Sequence, residues 1–229
     1  MNRVMLFTTT AMFGLAAAGM SYADSAHPAA SSAGAQIIRH GAPTTCGSMP
    51  ILYEQDPTST GQADSGIGIV SQNFESSFNQ YDAQAADDFK VPAGGWTINE
   101  LDVTGVYFNG AGPAASETVT FYHNAMNNKP GAVVASYTVT GADNAGTFCI
   151  AIPGLVLNQG HYWVSVVANM DFSAGGEWGW ENLVPPKIFK RAAWRNPGNG
   201  FATAPPCIHW KRENVCIPDG QGDHIFTLR

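Results

Sequence analysis

The stretch ETVTFYHNAMNNKPGAVVASYTVT, residues 117 to 140, decides the fold class of this chain. Its first part alternates apolar Val119 and Phe121 with threonines, which is the period of two that a strand with one buried face requires. Turn-forming residues occupy Asn127 to Gly131, and a second run rich in β-branched residues follows them. The stretch therefore predicts a β-hairpin.

Short alternating segments of the same kind recur from Ile51 to the end of the chain, with glycine and proline turns between them. The clearest are NELDVTGVYFN (99–109), FCIAIP (148–153), HYWVSVVANM (161–170) and HIFTL (224–228). No internal repeat or linker interrupts residues 49–229. The pattern predicts an all-β fold for this range, namely a single antiparallel β-sandwich of jelly-roll type.

The first 23 residues have the three parts of a secretory signal peptide. These are a basic Arg3, an apolar run from Val4 to Met20, and small residues that end at Ala23, where cleavage is expected. The apolar run is short for a membrane span, so membrane insertion is not expected. Residues 24–48 are rich in Ala, Ser, Gly and Pro and predict a flexible leader. We therefore expect a secreted chain, either extracellular or periplasmic.

Charge narrows the class of partner. The chain has a formal net charge of −7 at pH 7, and a nucleic-acid partner would require a basic face. Charged residues make up only 13% of the sequence, so solubility must come largely from uncharged polar residues and glycine. This composition is common in extracellular β proteins and argues against nucleic acid.

Four cysteines are expected to form disulfides in an oxidising compartment. Cys207 and Cys216 enclose a polar segment and predict a clamp across a β-hairpin. The remaining pair, Cys46 with Cys149, would tie the N-terminal segment to a strand, although Cys46 could also be free.

Three segments carry a resemblance to known proteins: QAADDFKVPAGGWTINELDVTGVYFNG (84–110), FYHNAMNNKPGAVVASYTV (121–139) and GHYWVSVVANMDFSAGGEWGW (160–180). Together they resemble a group of uncharacterised exported bacterial β-sandwich domains, which occur alone or appended to extracellular hydrolases. The resemblance covers roughly residues 50–229 and implies no catalytic motif. The implied architecture is loosely similar to that of carbohydrate-binding modules.

The segment GGEWGWENLVPP, residues 175–186, is the first candidate site. If it is extended, Trp178 and Trp180 project from one face, while Glu177 and Glu181 line the other. Exposed indoles would form a platform on which a sugar ring stacks, with the carboxylates accepting hydrogen bonds. The alternative is that the indoles fill the space between two sheets. The core interpretation is favoured for Trp178, and both remain open for Trp180.

Trp194 and Trp210 are the stronger candidates for ligand contact. Trp194 lies between two arginines in a loop-rich region, and Trp210 lies beside His209 in the segment that the disulfide encloses. Packing of the arginines on the indoles is the alternative for both tryptophans.

Acidic residues suggest a structural Ca²⁺. Asp87 and Asp88 begin one predicted strand and Asp223 begins the last, and first and last strands are often neighbours in jelly rolls. Their carboxylates would then converge on a hard cation. The alternative, which is favoured, is that these aspartates form local hydrogen bonds at strand ends.

These observations predict a secreted, non-catalytic binding module for carbohydrate or another extracellular polymer. The rival is a secreted hydrolase with a dispersed Asp/Glu/His site, for which Glu177, Glu181 and His209 are the first suspects. A structural or adhesive extracellular protein is the third interpretation. The sequence contains no G-x-S-x-G, H-E-x-x-H, phosphate-loop or C-x-x-C motif.

Overall fold

The computed structural model describes residues 49–140, 142–184, 189–218, 220 and 222–229. The predicted signal peptide (1–23) and leader (24–48) lie outside these residues.

Sixteen strands account for most of the described chain, and four short helical turns connect them. The strands are β1 Tyr53–Gln55, β2 Ala63–Val70, β3 Gln72–Asn73, β4 Gln84–Val91, β5 Trp96–Val103, β6 Gly105–Phe108, β7 Ser116–Asn124, β8 Pro130–Val139, β9 Ala142–Asn144, β10 Thr147–Leu157, β11 Gly160–Asn169, β12 Glu177–Val184, β13 Ala193–Arg195, β14 Lys211–Arg212, β15 Asp223–His224 and β16 Phe226–Leu228. The helices are α1 Pro57–Thr60, a 3-10 helix Ser76–Tyr81, α2 Phe172–Gly175 and α3 Glu213–Cys216.

The strands form three hydrogen-bonded sheets. One has the order β1-β16-β5-β10-β9, and the second has the order β14-β13-β4-β11-β7-β8 with β3 added beside β11. The third joins β15, β12 and β2, with β6 also paired to β12. Only one residue separates β5 from β6 and β15 from β16, so the first and third sheets continue into each other. The strand pairs are antiparallel, except for the parallel pair of β3 with β11.

The main core lies between the seven-stranded sheet and the other two sheets. It contains inward residues of β4 and β11, such as Phe89 and Val164, together with Leu101, Ile150 and Phe226 from the opposite layer. The predicted all-β fold of antiparallel sheets in a sandwich is confirmed, and the predicted hairpin is the pair of β7 and β8. The jelly-roll connectivity stays a prediction.

Two glycine contacts set the spacing of the sheet around β12. A Cβ on Gly179 would lie 2.6 Å from the backbone of Gly68, so β2 and β12 approach closely at this point. A Cβ on Gly105 would lie 2.5 Å from Cε2 of the Trp178 indole. The absence of a side chain at Gly105 leaves room for the Trp178 indole beside β6.

The predicted disulfide between Cys207 and Cys216 is present, and both residues are buried. The segment that it encloses is not a β-hairpin, because the two-residue strand β14 leads directly into the helical turn α3. Cys149 is also disulfide-bonded. Cys46, its predicted partner, lies outside the described residues.

Gly105→Ala should destabilise the protein by about 2 kcal/mol, because the added methyl overlaps an indole that is itself fully buried. Denaturant unfolding followed by tryptophan fluorescence measures the loss. Ala132→Val adds methyl groups at an exposed position of β8 and serves as control, with an expected change within about 0.5 kcal/mol. Wild-type stability of Gly105→Ala would contradict the packing described.

Candidate functional site

Trp178 and Trp180 are core residues. Both are 0% exposed, and their indole N–H groups donate to the backbone oxygens of Gly146 and Ile225, at 2.8 Å in each case. The predicted alternation along β12 is correct, but the indole side faces the sandwich interior. The core interpretation, which was favoured for Trp178 and left open for Trp180, is confirmed for both. Their assignment as an exposed ligand platform is wrong, because the opposite layer covers them.

Trp194 is also buried, at 1% exposed, and its Nε1 donates to the Val70 oxygen at 2.8 Å. Its assignment as a surface contact is therefore wrong. Trp210 remains partly exposed. The Arg195 guanidinium stacks over it at 4.6 Å, as the cation–π alternative predicted.

Glu177 and Glu181 lie on the side of β12 that faces away from the core, yet both are buried. Asn109 Nδ2 donates to Glu177 Oε2 at 2.6 Å. The two glutamates are four residues apart on one strand, or about 13 Å. Glycosidase carboxylate pairs are about 5 to 9.5 Å apart and face a cleft that holds the substrate, so this backbone spacing and the burial of both residues do not favour such a pair. His209 is exposed in the loop before β14.

Glu181 shares its surroundings with a second carboxyl group. Burial, followed by the charge and hydrogen bond of Asp64, raises the pKa of Glu181 to about 7. Below this pH the Glu181 carboxyl group is protonated, and above it Glu181 carries a charge beside the Asp64 side chain. The pair is therefore a source of strain at neutral to alkaline pH.

Asp87 and Asp88 are adjacent on β4 and so point to opposite faces of the sheet. Asp87 lies on the inward face between Ala85 and Phe89, which are core residues. Its Oδ2 accepts from Gln55 Nε2 at 2.7 Å and from the His224 amide at 2.5 Å, and its Oδ1 accepts from the Asp88 amide at 2.8 Å. Burial, with the charges of Asp223 and Asp88, raises the pKa of Asp87 well above its usual range.

Asp88 faces outward beneath the segment that leads to β13. Its Oδ1 accepts from the Lys190 amide at 3.1 Å, and its Oδ2 pairs with His161 Nε2. Burial raises the pKa of Asp88 to about 7. Gln62 Nε2 donates to the third predicted ligand, Asp223, at 3.2 Å.

The hydrogen bonds support the structural interpretation of these aspartates. All four carboxylate oxygens of Asp87 and Asp88 have a hydrogen-bond partner in the protein. In the described ranges, no three or more His, Cys, Asp or Glu side chains are grouped so that they could hold a metal ion. The structural Ca²⁺ stays a prediction, and the observed geometry does not favour it.

One buried relay was not anticipated from the sequence. Asn182 Nδ2 lies 3.0 Å from His224 Nδ1, and His224 Nε2 lies 3.0 Å from Glu213 Oε2. The distance between His224 Nε2 and Glu213 Oε2 fits an ion pair, but neither atom makes a hydrogen bond within the described residues. Trp180 stacks on the imidazole with ring centroids 4.5 Å apart. His224 is 0% exposed, so the relay has no direct access to a dissolved substrate.

An open groove of about 590 Å³ lies where β3, the loop before β7 and the end of β11 meet. Its lining consists of Asn73, Phe74, Gly112, Pro113, Ala115, Asn169, Met170, Asp171, Ala174 and Gly175. Phe74 and Met170 are the buried apolar part of this lining. This volume is within the usual range for small-ligand sites, about 300 to 1,000 Å³.

Two asparagines order the polar side of the groove. Asn73 Nδ2 donates to Asn169 Oδ1 at 2.7 Å, and Asn169 Nδ2 donates to Ser116 Oγ and Thr118 Oγ1, each at 3.0 Å. On the same face of the sheet, Thr118 pairs with Thr138 through their hydroxyl groups at 3.3 Å. The groove therefore opens beside a sheet face that carries hydroxyl groups.

Sequence reasoning missed this groove because it depends on contacts between distant glycines. The Gly112 amide donates to the Gly175 oxygen at 2.9 Å, and a Cβ on Gly176 would lie 2.6 Å from the Gly110 Cα. Gly175 and Gly176 therefore serve this close approach and do not mark an exposed strand. The glycine pairs in both segments were the available signal, but nothing local indicated that they meet.

Comparison with known proteins adds no relationship. No protein-family model, curated protein or solved structure matches the chain. Within the described part of the chain, no helix has the length and apolar character needed to span a membrane.

Glu181→Gln should stabilise the protein at alkaline pH. The folded pKa of Glu181 is raised to about 7, so its contribution to stability is present below the unfolded value and is lost as pH rises through 7. The variant should gain about 2 kcal/mol at pH 8 and nothing at pH 4. Unfolding curves at both pH values measure this. Asp64→Asn, which removes the second carboxyl group, should show a smaller gain of the same sign; equal effects of Glu181→Gln at both pH values would contradict the assignment.

Asp87→Ala should cost about 3 kcal/mol, because it leaves the buried donors of Gln55 and His224 without their acceptor. Asp171→Ala removes an exposed carboxylate and is the control, with an expected change near zero. Thermal and denaturant unfolding give both values. If the two variants were equally stable, Asp87 would not have the structural role assigned to it.

Proposed function

We propose that this chain is a secreted, non-catalytic binding module for carbohydrate or another extracellular polymer. The groove beside Asn73 and Asn169 supports the proposal, since it is open, large enough for a ligand, and lined by both polar and apolar residues. The site differs from the tryptophan platform expected from the sequence. The disulfide between Cys207 and Cys216 is consistent with an oxidising compartment, as secretion requires.

The chemistry of the groove suits a ligand rich in hydroxyl groups. An asparagine amide both donates and accepts hydrogen bonds, so it can pair with a hydroxyl group that acts as acceptor or as donor. The apolar surfaces of Phe74, Pro113 and Met170 provide contact for the C–H faces of a sugar ring. Ligand sites typically combine such apolar lining with a few orienting polar groups.

The hydrolase alternative has less support. Its suspects Glu177 and Glu181 are buried and too far apart along β12 for a carboxylate pair, and the imidazole of the buried relay is enclosed. The structural or adhesive alternative requires no ligand groove, and a binding test separates it from the module.

Blocking the groove tests the proposal. Ala174→Trp places a large side chain at an exposed position of the lining without removing any of the asparagine hydrogen bonds described above. The wild-type protein should be retained on at least one member of a panel of insoluble and gel-embedded polysaccharides, and the variant should lose at least about tenfold in affinity. Asn73→Ala should weaken the same binding. Released sugars are assayed over long incubation with the same panel.

Ala93→Trp is the matched control, because it adds the same side chain to an exposed turn between β4 and β5. It should bind as the wild-type protein does. Absence of retention on every polysaccharide would favour the structural alternative, and sugar release would favour the hydrolase. Binding that Ala174→Trp leaves unchanged would place the ligand elsewhere on the protein.

A further inference from the structure

Positive charge is concentrated on one part of this acidic protein. The chain contains eleven lysines and arginines, and eight of them lie in the described residues. One of the eight, Arg229, is ion-paired with Glu100 and Asp102 in the five-stranded sheet. The other seven lie on β4, in the turn between β7 and β8, and in the segment that carries β13 and β14: Lys90, Lys129, Lys190, Arg191, Arg195, Lys211 and Arg212.

Several contacts show that five of these cations converge at the outer face of the seven-stranded sheet, namely Lys90, Lys129, Lys190, Arg195 and Arg212. The positive charges of Lys90, Lys190 and Arg212, after burial, lower the pKa of His161 on β11. The Arg212 guanidinium lies 5.7 Å from the Trp163 ring, and its Nη1 donates to the Arg191 oxygen at 2.7 Å. Asp88 is the carboxylate at the centre of this group, and it is buried beneath it.

Aromatic groups lie among these charges. Ala86, Tyr122, Trp163 and Ala193 form a second, smaller apolar cluster on the outer face, and partly exposed Trp210 packs against it. The Trp210 ring meets Tyr122 edge-on at 5.9 Å. Lys129 Nζ donates to the Trp210 oxygen at 3.2 Å, and Arg195 Nε donates to Gln84 Oε1 at 2.7 Å. We call these five cations together with Trp210 the basic face.

Strand β11 connects the basic face to the groove. The outward residues of β11 run from His161 and Trp163, which lie beside the basic face, to Asn169 in the groove. Trp163 and Asn169 are six residues apart, or about 20 Å. Paired hydroxyl groups of Thr120 and Ser136 lie on the neighbouring strands between these ends.

We infer that the polymer bound by this module is anionic, a polysaccharide bearing carboxylate or sulfate groups, and that the basic face selects it. This inference rests on the proposed function, since it names the ligand class of the module. Fixed arginines provide planar donors for carboxylate or sulfate oxygens, and exposed Lys90 and Lys190 add screened attraction. Hydroxyl and amide groups elsewhere on the outer face of the seven-stranded sheet favour a sugar polymer over nucleic acid.

Calorimetric titration with sodium alginate, a polymer of uronate sugars, tests the inference. The wild-type protein should bind alginate at low salt, bind it more weakly at high salt, and bind a neutral glucan of similar length less tightly than alginate. Lys90→Gln with Lys190→Gln should lower alginate affinity at least about fivefold and reduce its salt dependence. Neither change removes a hydrogen bond described above, because Asp88 accepts from the Lys190 backbone amide.

The control carries the same change of net charge on the opposite layer. Ala151→Glu with Val156→Glu, both at exposed positions of β10, should bind alginate as the wild-type protein does. Equal loss in both double variants would show that net charge alone governs binding and would overturn the inference. Single-stranded DNA that bound as tightly as alginate would also overturn it, in favour of a nucleic-acid partner.

Failure of the inference and failure of the proposed function give different results. If neutral glucan is bound through the groove and alginate is not preferred, the module stands and the anionic ligand class is wrong. If neither polymer nor any polysaccharide of the wider panel is retained, both are wrong.

Discussion

The Asp87 carboxyl group is the constraint on which the rest of the sandwich depends. It lies on the inward face of β4, among apolar side chains, where an unpaired polar group would be costly. Its acceptors are used by Gln55 from β1 and by the His224 backbone from β15, so one group from the seven-stranded sheet ties both sheets of the opposite layer. These bonds set where the last strands lie relative to β4. The position of β15 in turn sets the position of β12, because the two strands pair. It thereby also sets the position of Trp180, which lies on β12 and covers His224.

The fold separates the charges of the chain by location. Several acids, including Asp87, Glu177 and Glu213, are buried, while most described cations lie around the outer face of the seven-stranded sheet. The net charge of −7 therefore does not describe the charge of each part of the protein surface. In the sequence, the net charge argued against a nucleic-acid partner. The surface that an approaching polymer meets at β4, β13 and β14 is nevertheless positive. Net charge sums all groups equally, whereas recognition depends on those that reach solvent.

Particular elements show how far the sequence could be followed. The hairpin of β7 and β8, the alternation along β12 and the Cys207–Cys216 pair were all predictable, because each depends on residues close together in the chain. The burial of Trp178 was favoured from the sequence and that of Trp180 was left open, whereas Trp194 was wrongly expected to contact a ligand at the surface. Glycine and proline beside β12 indicated an edge, but Gly175 and Gly176 are needed for contact with a distant loop. The groove and the His224 relay join residues from separate strands, so no local pattern reported them.

The sequence by itself determined the all-β class, where the clearest strands lie along the chain, and which residues share a face of each of these strands. These properties follow from a local period of two and from turn chemistry. Only the tertiary structure decided which face of each strand is covered, which carboxylates are enclosed and where the cations gather. The physical reason is that burial and electrostatic surroundings arise when one layer packs on another, and the partners in that packing are as far apart in the chain as Gln55 and His224.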